Sequence, residues 1–462
     1  MSARKNTWST EDLQNLDNTY QMHPWSAMGK ESYGLDVFDS ASGIYMVNRD
    51  GERFIDGPGG MWCVNIGHGR REIGEAMTHQ ISQLGYASPW TSTTEPSTML
   101  ARRIAEETPG DLNTVFFTTG GSSAVDTALR FVQFYNNVKG RPEKKVFISR
   151  EKAYHGSTYL SASVSGKERD RKFLDTNTDF VRFLPNVNPY TRPDGMSVED
   201  WRDAKLADLE NMILEVGPDK VAAFIAEPVL ASGGVIVPPE GYHQGCLEIC
   251  RKYDVLYISD EVVTGFGRLG HIIASEKVFG ITPDIITCAK GLTSGYVPMG
   301  AAIFSDRLID EIRADDHADI LFSNGYTYSA HPVCAAAALK NIEIIDQEGL
   351  LEHVRDISPH FQDRLKQLGE KHRIIGDARG MGLIGCLEGA VAPGMPEEKR
   401  LGIDLEFGEL INAATEKRGL LVRPIINMCV FSPPLVISRE EIDVMFDILD
   451  EAIAEVEAEM LS

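Results

Sequence analysis

Basic residues are scarce in this chain of 462 residues: 45 Lys and Arg stand against 68 Asp and Glu, a formal charge of −23. That surplus repels phosphate backbones and anionic lipid headgroups alike, which argues against nucleic acid and membrane surfaces as partners. Long apolar runs are missing too. The opening MSARKNTWSTEDLQNLDNTYQMHPW has no apolar core of signal-peptide length, and nothing later approaches the roughly 18 apolar residues of a membrane span. The expectation is a cytoplasmic protein. Cysteine is sparse: seven residues, an odd number scattered along the chain, fit reduced thiols better than a disulfide framework. Cys246 and Cys250 can share a helix face, but with no further Cys or His at ligand spacing they read as small buried side chains, not as a metal site.

What is present is an alternation of apolar runs and helix-length amphipathic stretches. Thr114-Val115-Phe116-Phe117 precedes a helical pattern from Ser122 to about Val138. Further runs are 145–149, 221–226, 255–259 and 285–287. Runs this continuous, separated by helices, predict an α/β core: a mostly parallel sheet covered on both faces. Before it, 43–47 and 52–56 flank Asp50-Gly51 as a hairpin pattern. From about 333 the chain turns helix-rich, with a polar Gly/Pro loop at 389–396 and a last helix over about 440–460. The expected division is residues 76–332 as a large domain, with 1–75 and 333–462 together forming a smaller α+β one, because neither terminal part has enough apolar strand to stand alone.

In an open parallel sheet, ligands bind beyond the carboxyl ends of the strands. The residues closing these runs are polar: Thr118-Thr119-Gly120-Gly121-Ser122-Ser123, then Tyr154-His155-Gly156, Glu227-Pro228, Asp260-Glu261 and Lys290-Gly291. Singly, each has a plain explanation as turn, helix cap or ion pair. Together they place a glycine-serine helix N-terminus, an acid and a lysine at one rim. The helix end suits a phosphate, and a small molecule needing a phosphate cradle, a carboxylate and an amine at once is pyridoxal phosphate. The rival is a dinucleotide enzyme, since Gly265-Phe266-Gly267-Arg268-Leu269-Gly270 matches G-x-G-x-x-G. The context is wrong for it: the first glycine trails its strand by five residues, and the following strand ends in Lys290 instead of an acid.

Three blocks, Phe224-Ile225-Ala226-Glu227-Pro228-Val229, Ile258 to Arg268 and Thr287-Cys288-Ala289-Lys290-Gly291-Leu292, together with Tyr154-His155-Gly156 and Asp56-Gly57 through Gly69, resemble the class III aminotransferases. These are pyridoxal-phosphate enzymes of fold type I, among them the omega-amino-acid and amine:pyruvate transaminases. The likeness spans nearly the whole chain. It implies that Lys290 condenses with the cofactor aldehyde and then moves protons, and that Asp260 keeps the pyridine nitrogen protonated. Gly121 and Ser122 would bind phosphate, Tyr154 would stack on the ring and Val262 would pack on its other face, with His155 and Gly156 in the same cofactor-binding motif. Tyr326 and Thr327 match the segment through which a second subunit contributes a phosphate ligand, which implies a homodimer, with a tetramer also open. Trp62 falls where the family lines its substrate pocket, though core packing explains it as well, and Arg423 matches the arginine that holds a substrate carboxylate. For Glu227, contact with the ring, contact with the substrate arginine and a structural ion pair all stay open. The implied reaction is ping-pong transfer of an amino group from an amine or omega-amino acid to a keto acid such as pyruvate. An aminomutase or a decarboxylase of the same fold, or a non-catalytic binding protein, are the alternatives.

Overall fold

Asp50-Gly51 turns the chain between β2 (Tyr45–Asn48) and β3 (Arg53–Asp56), with Gly51 at φ +85°, and β2 also pairs antiparallel with β1 (Phe38–Ser42). This computed structural model describes residues 8–26, 35–314 and 320–462. The central sheet takes β4 (Leu112–Thr118), β5 (Val146–Arg150), β6 (Val181–Leu184), β7 (Val221–Ala226), β8 (Leu256–Asp260), β9 (Ile285–Cys288) and β10 (Gly300–Ser305) in the order β4-β10-β9-β8-β7-β5-β6. It is parallel except for β10, which runs antiparallel to both β4 and β9. Because β10 is the single reversed strand, β4 points the same way as β9, and the ends of β4, β5, β7, β8 and β9 open on one rim.

Helices cover both faces, as the continuous burial of β7, β8 and β9 requires. On one face, Val125, Leu129 and Val132 of the Gly121–Val138 helix pack on Phe147, Ile225, Ile258 and Ile285. On the other, Leu209 and Ile213 of the Val198–Val216 helix join Cys246 and Cys250 of the Tyr242–Lys252 helix against Phe224 and Tyr257. The two cysteines, one turn apart, are thus core residues, and burial pushes the Cys246 thiol up to about 12.

A third sheet, β11 (Ile375–Met381), β12 (Ile384–Gly389), β14 (Arg423–Ile425) and β15 (Met428–Phe431), carries the Leu350–Lys371 and Arg439–Met460 helices. The last helix begins at a capping box in which Ser438 and Glu441 each bond the other's backbone N–H. The short β13 (Leu420–Leu421) leaves this region to pair parallel with β3, so the first and last parts of the chain share a sheet. We propose the division 1–75 with 333–462 around 76–332 on that ground, with the Pro332–Gln347 helix as the seam, since it packs on the Arg71–Gln83 and Glu95–Ala105 helices. Arg268 ties the parts together. Its buried guanidinium donates to the carbonyls of Leu383 and Pro433 and to Asn65 Oδ1, at 2.6–3.0 Å. It sits inside the G-x-G-x-x-G stretch, which folds as a turn with Phe266 N–H bonded to Ile272 O, and opens no helix.

His243 fixes the turn after β7. Its Nε2 lies 2.9 Å from the Pro228 carbonyl and its Nδ1 2.8 Å from the Tyr257 hydroxyl. The carbonyl can only accept, so Nε2 donates, Nδ1 accepts, and the ring is neutral. Burial, with the Arg150 charge nearby, pushes it down to about 3. The unfolded ring binds a proton near pH 6.5 and the folded one does not, so stability is lost as pH falls from about 6.5 toward 3, by about 2 kcal/mol at pH 5. Melting curves between pH 7 and 4.5 should therefore show a shallower pH slope in His243→Gln than in the wild type.

Candidate active site

The rim encloses a cavity of about 400 Å³. Its walls include Gly121, Ser122, Tyr154, His155, Gly156, Glu227, Asp260, Val262 and Lys290 from the strand ends, and Trp62 and Arg423 from outside the sheet.

Asp260 closes β8 and is held from three directions. Its Oδ2 is 2.7 Å from His155 Nδ1, while Oδ1 accepts from Thr287 Oγ1 and from Val262 N–H, both at 3.2 Å. The parallel register pairs Asp260 with Thr287, which places that hydroxyl beside the acid. His155 Nε2, buried, has no hydrogen-bond partner among the described residues.

Lys290, two residues beyond β9, is held at φ +43°, a left-handed conformation that costs a lysine of order 1 kcal/mol and aims the side chain into the cavity. No carboxylate forms an ion pair with it among the described residues; its Nζ stands 5.2 Å over the Trp62 ring. Burial lowers its affinity for protons, against the pull of Asp260 and Glu227. A lysine paired to hold the sheet would have a partner.

The Gly121–Val138 helix starts at the end of β4 with no side chain capping it. Among the described residues, the N–H groups of Gly121 and Ser122 have no protein acceptor, so they and the helix dipole face the cavity. A Cβ on Gly121 would press on Val262 at 3.1 Å. Ser122 Oγ accepts from Ser157 N–H, which fastens the loop after Gly156 to the helix. Glu227 spends both carboxylate oxygens on backbone, at Tyr154 N–H (2.9 Å) and Ala231 N–H (3.1 Å), and burial raises its pKa. It holds the Tyr154 loop and forms no ion pair with Arg423.

Trp62 is almost fully buried and also lines the cavity, so packing and pocket roles coincide. Its loop is pinned where Asp56 accepts from Gly60 N–H at 2.9 Å and Ser432 Oγ donates to the Pro58 carbonyl. Arg423 opens β14 with its Cζ 5.3 Å from the Trp62 ring and 5.8 Å from the Trp25 ring, and no carboxylate pairs with it among the described residues. Tyr326 and Thr327 do not line this cavity. The Tyr326 hydroxyl bonds the Ser123 carbonyl at 3.1 Å, and Thr327, exposed, accepts from Tyr86 through its own carbonyl. Sequence reasoning missed Trp25, Lys167, Arg169, Asp170 and Ser232; Met61, Val263, Pro424 and Ile425 were a residue or two from predicted positions.

A sequence model of the family Aminotransferase class-III matches residues 28–453. The chain belongs to the class III aminotransferases. It is 36% identical over 471 residues to a putrescine–pyruvate aminotransferase of Pseudomonas aeruginosa, covering all of both chains. It is 39% identical over 450 residues to gamma aminobutyrate transaminase 3 of Solanum lycopersicum, covering 96% of this chain and 85% of that one. Its fold matches an omega transaminase from Pseudomonas jessenii solved in complex with PMP, at a TM-score of 0.91 and 32% identity over 96% of this chain and 98% of the other. The class III enzymes are transaminases of fold type I that use pyridoxal 5'-phosphate. The cavity fits that group: free N–H donors at a helix end suit its phosphate, the fixed acid suits its ring nitrogen and the unpaired amine suits its aldehyde.

Gly156, at φ +139°, lies where a Cβ would come within 2.7 Å of Ser122 Oγ and 2.8 Å of Ser122 Cα. Overpacking of this kind costs about 1–3 kcal/mol of folding stability, so Gly156→Ala should lower the melting temperature, and because Ser122 must shift, the apparent Kd for pyridoxal phosphate, followed by its visible absorbance, should rise as well.

Proposed function

We propose that this aminotransferase moves an amino group from an amine or omega-amino acid to pyruvate, in two half-reactions with the carbonyl product leaving before the keto acid enters. The observation that carries the reading is the coexistence, in one cavity, of an amine at Lys290 and a guanidinium at Arg423 that form no ion pair among the described residues. The names of the Pseudomonas aeruginosa and Solanum lycopersicum relatives support a small amine donor, and the former supports pyruvate.

When bound, the cofactor supplies an aldehyde that takes up amines and a protonated ring that draws electrons from the substrate carbon. Asp260, locked by His155, Thr287 and the Val262 N–H, would hold the ring nitrogen in its protonated form. Lys290, made less basic by burial, would take a proton from the donor's carbon in the first half-reaction and deliver one to the keto acid's carbon in the second. Tyr154 and Val262 would pack on the cofactor ring and Gly121 and Ser122 would hold the phosphate, while Glu227 positions Tyr154 through its backbone. Arg423 binds the keto acid's carboxylate, and Trp62 and Trp25 shield its charge from water when the apolar part of an amine takes that place.

A homodimer belongs to the same reading. Thr327 is exposed and lies outside its own chain's cavity, beside Tyr326 and the aromatic group Tyr86, Tyr328 and His331, which supports reading it as the residue that would serve a second copy's phosphate site. Seven free thiols suit a cytoplasmic setting.

The test is a panel of amines and omega-amino acids supplied with pyruvate. Alanine should accumulate with at least one donor and should not in Lys290→Ala; carbon dioxide or a rearranged amine in its place would point to a decarboxylase or an aminomutase. Arg423→Ala should raise KM for pyruvate roughly 10- to 100-fold, the loss of one charge-assisted contact, and leave a carboxylate-free amine within about threefold. Equal losses for both substrates would remove Arg423 from carboxylate binding.

A further inference from the structure

The cavity holds another cation that the reaction just described does not use. Lys167 lies on the loop after the Tyr159–Ser163 helix, and its Nζ stands 5.5 Å from the centre of the Tyr154 ring. No carboxylate comes within ion-pair distance of it among the described residues. Asp170, the acid beside it, is engaged by Arg169 Nε at 3.2 Å, and Glu227 is held by two backbone N–H groups. Lys167 is half-buried, and loss of water pushes its ammonium down to about 8, against the raising influence of Asp170 and Glu227 and with that of Arg169 and Arg423. A desolvated lysine without a counter-ion is costly to the free enzyme, and an anion entering the cavity would relieve that cost.

The position of Lys167 says which anion. Ring contacts run around the wall from Lys290 to Trp62, to Arg423, to Trp25, to Tyr154 and then to Lys167. Lys290 marks where the amine reacts, and Lys167 is a second, separate cation on the same wall. The same buried Glu227 and the same Arg423 influence both lysines, so they share one chamber. A ligand satisfying both carries its amine at one terminus and an anion at the other.

Resting on the transaminase reading above, we propose that Lys167 is a specificity residue that binds the remote carboxylate of an omega-amino acid donor, leaving Arg423 for the keto acid. An ammonium is a compact charge that can donate to a carboxylate approaching from several directions, which suits amine substrates of more than one length.

The test compares 4-aminobutyrate with n-butylamine, a donor of the same length without the carboxylate, on the wild-type holoenzyme and on Lys167→Met and Lys167→Arg. In Lys167→Met, KM for 4-aminobutyrate should rise roughly 10- to 100-fold with kcat within about threefold, and butylamine should change by less than about threefold. Lys167→Arg should recover most of the loss. Glutarate, a dicarboxylate without an amine, should bind the holoenzyme in calorimetry and lose roughly tenfold in affinity in Lys167→Met. Equal losses for both donors, unchanged KM for 4-aminobutyrate, or unchanged glutarate binding in a variant whose melting temperature is preserved would overturn the assignment. Failure of the wild type to transfer an amino group from any donor would instead strike the transaminase reading itself.

Discussion

Asp260 and Lys290 end neighbouring parallel strands, and the site depends on how differently the two are treated. The acid receives donors from His155, Thr287 and the Val262 backbone, while the lysine receives no ion partner among the described residues. Had the two met, each would have neutralised the other, and the cavity would hold a structural salt bridge with no use for a ligand. The β8–β9 register keeps them apart: Asp260 sits opposite Thr287, and three more residues carry the chain to Lys290. A slip of one residue in that pairing would turn each strand's other face to the cavity and lose both groups together. Burial of β8 and β9 on both sides makes such a slip prohibitive, because Ile258, Ile285 and Ile286 would lose their places in the core.

The same logic governs what was readable in the chain. Strand ends were legible because continuous apolar runs stop abruptly at polar residues, and the five run ends read as one rim do form one cavity. β10 went unread. Its six buried residues, Gly300-Ala301-Ala302-Ile303-Phe304-Ser305, are too small and too close to the glycines after Lys290 to look like a strand, and its reversed direction follows from the tight turn at Ser294 and Gly295. β6, four residues long and with two of them only partly buried, gave too short a pattern. Trp25 and Lys167 were illegible for another reason. They stand on loops, and where a loop lies is decided by packing between segments distant in sequence, such as Trp25 against Tyr154. Arg423 was found only through resemblance to a family. Local pattern shows it as a charge after an apolar run, with no sign that two tryptophans flank it.

Charge is where composition and site diverge. A chain with 23 more acidic than basic residues would be expected to repel a keto acid, yet the cavity faces inward with Lys290, Arg423 and Lys167. Two features reconcile these. Surface carboxylates act through water and salt, and their reach falls off over about 8 Å at physiological ionic strength. The acids inside the cavity, Asp260, Glu227 and Asp170, are already engaged by His155, Thr287, backbone donors and Arg169, so their outward field is reduced. Lys290, Arg423 and Lys167 pair with no carboxylate among the described residues and dominate the field that a bound anion meets. Net charge therefore governs what stays off the surface, while the unpaired groups at the strand ends govern what enters, and only the second depends on the fold.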